Sequence, residues 1–116
     1  MADHATLFDD IDSLDPDRFA PHLAEDVVMR FGNAEPVHGR TAVRDVWAAF
    51  CDGVRGVSHA QVDRWEVGEA TIVQADVTYT RRDGSSFTIP VVTIYRGAGE
   101  LIEDYRVFLD LAPLAG

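Results

Sequence analysis

The chain has 116 residues, 47% of them hydrophobic and 26% charged, with a net charge of −10. This excludes a disordered tail, which lacks apolar side chains to bury, and leaves room for one ordinary domain spanning residues 1–116. It argues equally against a nucleic-acid partner, which needs clustered Lys and Arg, and against a membrane span, which needs an apolar run of ~20 residues. The amino end, Met1-Ala2-Asp3-His4, is acidic and polar, so no signal peptide is expected. With one cysteine, Cys51, there is no internal disulfide to form, and the expected location is the cytoplasm.

In chain order, Leu7, Phe8, Ile11 and Leu14 recur at helical spacing, with Asp9, Asp10, Asp12 and Ser13 facing away. Asp15-Pro16 ends this helix and starts another, Asp as cap and Pro in the first turn. The second helix, with Phe19 and Leu23 one turn apart, is expected to stop near Glu25-Asp26. Val27–Phe31 reads as a strand closed by Gly32-Asn33, and a loop follows. Thr41 is a plausible cap for a third helix, whose stripe is Val43, Val46, Trp47 and Phe50.

The rest reads as strand and turn: Val57–Val67, Thr71–Arg82, Phe87–Arg96 and Glu100–Leu111, the middle pair joined by the hairpin signal Asp83-Gly84. Helices first and a meander afterwards give an α+β fold with the helices on one face. The last two strands are apolar at both parities: Phe87, Ile89, Val91 and Tyr95 oppose Val92 and Ile94, and Ile102 and Phe108 oppose Leu101, Tyr105, Val107 and Leu109. A strand covered on one face alternates. A second copy of the chain is the simplest cover for the other face, so a homodimer through the sheet face is expected. Pro90 implies a bulge or an edge.

From Leu7 to Leu114 the chain resembles the NTF2-like superfamily, and within it the SnoaL-like branch. The resemblance rests on the element order, on Phe31-Gly32-Asn33, Glu35-Pro36 and Gly39-Arg40, and on Tyr105-Arg106-Val107-Phe108 with Asp110 and Pro113-Leu114. It implies a cone-shaped fold, three N-terminal helices on a curved, mostly antiparallel sheet enclosing an apolar pocket. The catalytic sets of the superfamily do not carry over intact. The general base of the ketosteroid isomerases would fall near Arg30 or Phe31, and their oxyanion donors near Leu7 and Val91. Of the two Asp and one Arg of the limonene-epoxide-type hydrolases only Asp76 matches; the others fall on Gln74 and Val107. The cyclases' Asp after an aromatic residue is replaced by Arg106 after Tyr105, with Asp104 nearby.

The candidate catalytic residues are therefore Asp76, His59, Asp104 and Arg106. Asp104 and Arg106 are same-face neighbours ~7 Å apart, able to bind a polar group or simply to pair. Asp76 lies on the polar parity of its strand with Gln74 and Thr78; pattern sends it to solvent, and the resemblance sends it to the pocket. His59, sharing parity with Gln61, Asp63 and Trp65, is an acid–base group near a pocket or a structural histidine. Phe8, Trp47, Phe50 and Tyr79 are core residues that would also wall a pocket for a small apolar ligand. No His, Cys or carboxylate spacing suits a metal, and there is no phosphate or dinucleotide fingerprint, so neither metal nor cofactor is expected. The resulting reading is a small-molecule pocket protein, an isomerase, cyclase or hydrolase working by acid–base chemistry. The alternatives are a non-catalytic carrier and a protein–protein module.

Overall fold

The computed structural model describes residues 6–115; the segment Met1–His4 lies outside them. Leu7 and Ile11, one turn apart, are buried and seat α1 (Leu7–Asp12), which ends before Leu14 at φ +60. The Asp15 carboxylate accepts the Asp17 N–H at 2.9 Å, and Pro16 opens α2 (Pro16–Phe19). This helix does not reach Glu25-Asp26 as expected. Pro21 has no N–H to give the preceding turn and its ring crowds it. The chain tightens into a 3-10 turn over Ala20–His22, and β1 (Leu23–Phe31) starts at Leu23, four residues earlier than the apolar run suggests.

The expected loop after β1 contains a two-residue strand, β2 (Val37–His38), antiparallel to β1. Helix α3 (Arg40–Asp52) begins before Thr41, because Gly39 at φ +95 makes the turn into it. Val43 and Trp47 are buried and Phe50 is half-buried, but Val46 is 43% exposed, so the buried stripe is narrower than the sequence suggests.

Four long strands follow: β3 (Val54–Val67), β4 (Ala70–Arg81), β5 (Ser86–Arg96) and β6 (Ile102–Phe108), then a closing turn, α4 (Ala112–Ala115). They form one sheet in the order β2-β1-β6-β5-β4-β3, antiparallel except for the β1–β6 pair. The β4–β5 hairpin closes through the Arg81 N–H to the Ser85 carbonyl at 2.7 Å, with Gly84 at φ +92. Pro90 sits opposite Asp76 on β4, while β6 reaches only as far as Val92 on its other side. The missing N–H therefore removes no ladder bond to β6.

Helix α1 packs on β3, α3 packs on β1 and β3, and α2 packs on both helices, so all three cover one face of the sheet. The fold is α+β, a few helices on a curved six-stranded sheet. On β4 and β5, Val73, Ala75, Val77, Tyr79, Ile89, Val91 and Tyr95 point into the core that results.

Candidate functional site

Strand β3 decides what faces the helices. Val57 and His59 stand opposite the buried Tyr79 and Val77, and Gln61 opposite Ala75. Val62 is then skipped: Asp63 pairs with Gln74, Arg64 with Val73, and Trp65 with Ile72. One extra residue reverses the alternation. His59, Gln61 and Arg64 lie on the helix-covered face, and Asp63 and Trp65 lie on the outer face, against the single parity expected for His59 through Trp65.

His59 is held by Asp12 at the end of α1. One carboxylate oxygen meets His59 Nδ1 at 2.6 Å and the other accepts the His59 N–H at 2.9 Å. Phe8, one turn before Asp12, lies against the imidazole with ring centroids 4.8 Å apart. Against a carboxylate, Nδ1 carries the proton and Nε2 is left with the lone pair of a base. Asp12 was expected to face away. Phe8 and Asp12, spaced i, i+4, share one side of α1, but nothing in that spacing names a partner 47 residues away on β3.

The ring borders two spaces. Inward is a narrow cavity of about 30 Å³ bounded by Ile11, Phe19, Met29, Trp47, Tyr79 and Tyr105, among others. Outward is a groove of about 210 Å³ between Phe8 and Asp9 of α1 and Gln61, Arg64, Val73 and Ala75 of the sheet. The inner cavity is apolar with few polar groups. Burial, reinforced by the Asp12 charge, pushes the Tyr79 hydroxyl up to about 12. Burial, with the neighbouring Tyr95 and Tyr79, drives Tyr105 higher still, although Thr93 hydrogen-bonds to it. Both phenols therefore stay protonated near neutral pH and can serve as donors. Trp47 Nε1 is buried with no hydrogen-bond partner among the described residues.

Of the residues singled out from sequence, His59, Trp47 and Tyr79 line the inner cavity. Phe8 lines the groove. Phe50 stands behind the wall, stacked on Trp47 with centroids 5.1 Å apart. The other three are not brought to the site. Asp76 is exposed on the outer face between Ala60 and Pro90, where the polar parity of β4 sends it. Asp104 and Arg106 also lie outside the cavity, joined to each other at 2.8 Å. The pair holds the Arg106 guanidinium above its ordinary pKa. Cys51 has its thiol pushed up to about 11 by burial, which makes it a poor nucleophile. Among the described residues no group of three or more His, Cys, Asp or Glu could hold a metal ion.

The model of the SnoaL-like domain matches residues 5–105. The chain belongs to the SnoaL-like domain family. No curated protein is significantly similar to this SnoaL-like chain in sequence. Among solved structures, a hypothetical protein of ketosteroid isomerase-like fold from Catenulispora acidiphila, in complex with trimethylamine, superposes with a TM-score of 0.86 at 15% identity. The match covers 97% of this chain and 89% of that one. A protein described as a SnoaL-like polyketide cyclase from Jannaschia sp. CCS1 gives 0.85 at 19% identity, covering 96% and 85%. An LEH-like epoxide hydrolase from M. tuberculosis gives 0.79 at 13% identity, covering 92% and 79%. At these identities the likeness establishes the NTF2-like fold of the SnoaL-like domain and no activity.

Proposed function

We propose that this SnoaL-like domain binds a small, largely apolar molecule and carries out acid–base chemistry on it, as an isomerase, cyclase or hydrolase in which His59 is the base. The observation that carries the reading is the Asp12–His59 pair at the junction of an apolar cavity and an open groove. Asp12 fixes the tautomer, so Nε2 takes a proton from substrate carbon or from a water, and the carboxylate stabilises the imidazolium that forms. The protonated Tyr79 and the unpaired Trp47 N–H are donors for an oxygen on which charge develops. Relatives described as a polyketide cyclase and an epoxide hydrolase agree with a pocket used for small molecules.

The test needs no natural substrate. 5-Nitrobenzisoxazole opens to a coloured nitrophenolate when a base removes its ring proton, and a general base contributes about 10²–10⁴ in rate. His59→Gln should lower that rate on the order of a hundredfold, and Asp12→Asn by about tenfold, with the fold retained. Equal rates for wild type and His59→Gln would remove the base and leave a carrier protein.

One observation favours a second reading. The inner cavity is well below the ~300–1,000 Å³ of ligand sites, as in a protein–protein module whose pocket is filled by its own side chains. We further infer a homodimer through the outer sheet face. Trp65, Ile72 and Ile94 form one row across β3, β4 and β5, and Val92 stands beside Phe108 on β6. Trp65 is 44% and Phe108 53% exposed. Asp63, Asp76 and Asp104 share this face with Arg30 and Arg106, so a twofold axis can set opposite charges together. A single domain over 1–116, the cytoplasmic location and the absence of a nucleic-acid partner complete the proposal, resting on length, the lone Cys51 and the acidic charge.

A further inference from the structure

We infer that the ligand of the His59 site carries an acidic group, a carboxylate or an ionised enol, received by Arg64 in the outer groove. The inference rests on the site reading above and adds the substrate class. Arg64 reaches the groove only because Val62 is skipped; in an unbroken strand its side chain would leave on the outer face. Bulges commonly re-aim a side chain beside a site. The guanidinium has no ion pair or hydrogen bond among the described residues. Arg18 is engaged with Asp10, Arg44 with Asp17, Arg106 with Asp104, and Arg40 with the Leu23 carbonyl. Arg55 and Arg96 are without a partner among the described residues, as Arg64 is, but do not line the groove. In a chain with 20 acids and 10 bases, an arginine left unpaired in a groove that shares His59 with the inner cavity is available to an incoming acid.

The groove suits such a ligand. Phe8, Val73 and Ala75 supply apolar walls, Gln61 supplies an amide, and His59 stands at the inner end. A guanidinium fork binds a carboxylate through two parallel hydrogen bonds. An acid held there presents its apolar body to the His59 ring. Two charges oppose it: Asp9 lines the same groove from α1, and the Asp12 carboxylate lies against the His59 ring. Asp9 lies in the first turn of its helix, where the helix dipole favours a carboxylate. Glu66, two residues beyond Arg64, faces the same side but does not line the groove.

Three probes of one shape decide the matter: 2-naphthoate, its neutral amide and 2-naphthylmethylamine, titrated at pH 7 while the His59 imidazole signals are followed by NMR. Naphthoate should bind at least about threefold more tightly than the amide, the low end for a partly exposed charge-assisted pair. Arg64→Gln should abolish that preference, bringing the affinity for the acid to that for the amide in the same variant, and Arg64→Lys should restore only part of it. Matched melting temperatures show that the variants fold. Equal affinity for acid and amide, or a preference that survives Arg64→Gln, overturns the inference while the site reading stands. Tighter binding of the amine also overturns it, with Asp9 as the dominant charge. If none of the probes moves the His59 signals, the inference and the site reading fall together.

Discussion

Asp10 shows what a half-buried carboxylate does away from the site. It accepts from Arg18 at 2.9 Å and meets His22 Nε2 at 2.7 Å, tying α1 to α2 and to the turn before β1. The His22 contact above all, helped by Thr6 and Arg18, lowers its pKa. A carboxyl whose folded pKa is depressed stabilises the fold above its unfolded value, near 3.8 here, and loses that contribution as pH falls through the folded value. Asp10→Asn should therefore lower the melting temperature at pH 7, and the gap to wild type should close below pH 3.8. A gap that stays constant down to pH 2 would show that the ionised form does not matter. His59 and Asp12 form a similar pair, but theirs sits on a cavity and a groove, which is why only that one is assigned chemistry.

At the scale of elements, Gly97 in the β5–β6 turn is constrained by space. A Cβ placed there would lie 2.3 Å from the Leu101 carbonyl oxygen, which is backbone and cannot swing away. Gly97→Ala should cost about 1–3 kcal/mol, the range of overpacked sites, measurable as a shift of the urea midpoint at unchanged slope. Most elements were legible because their signals are local: the cap Asp15-Pro16, the 43-47-50 stripe of α3 and the two-faced apolar pattern of β5. Leu23 misled because an apolar residue at helical spacing looks the same on a strand, and only Pro21 decides between them. The site was half legible. His59 stands out by residue type, Trp47 by the α3 stripe and Tyr79 by the apolar parity of β4, and all three line the candidate cavity. Asp12 was assigned to solvent with the other acids of α1, since a long-range hydrogen bond leaves no period in a sequence. The β3 bulge was invisible too: Gln61-Val62-Asp63 reads as regular strand, and the skip exists only relative to β4. Asp76 went where binary patterning sends it, to the outer face.

At the scale of the molecule, the outer face should assemble two copies. Ile94 is central in it, with Ile72 on one side and Arg106 on the other. An arginine there would be buried unpaired in the interface, at a cost of several kcal/mol per ion. Wild type should sediment as a dimer at micromolar concentration, and Ile94→Arg should weaken association more than a hundredfold without changing the melting profile of the monomer. A wild-type monomer under those conditions would refute the dimer.

The bulges of β3 also bear on how copies of this chain avoid one another. β3 is the open edge of the sheet, 14 residues long and mostly exposed, a length of free backbone that could template a neighbour's strand. Its ladder is broken twice, at Arg55 and at Val62. Each break kinks the backbone and throws the next free N–H and C=O groups out of line, and the opposite edge, β2, has two residues to offer. Neither rim can run unbroken along a partner strand, so the fold is guarded against fibrillar stacking at its edges, and association is left to the faces.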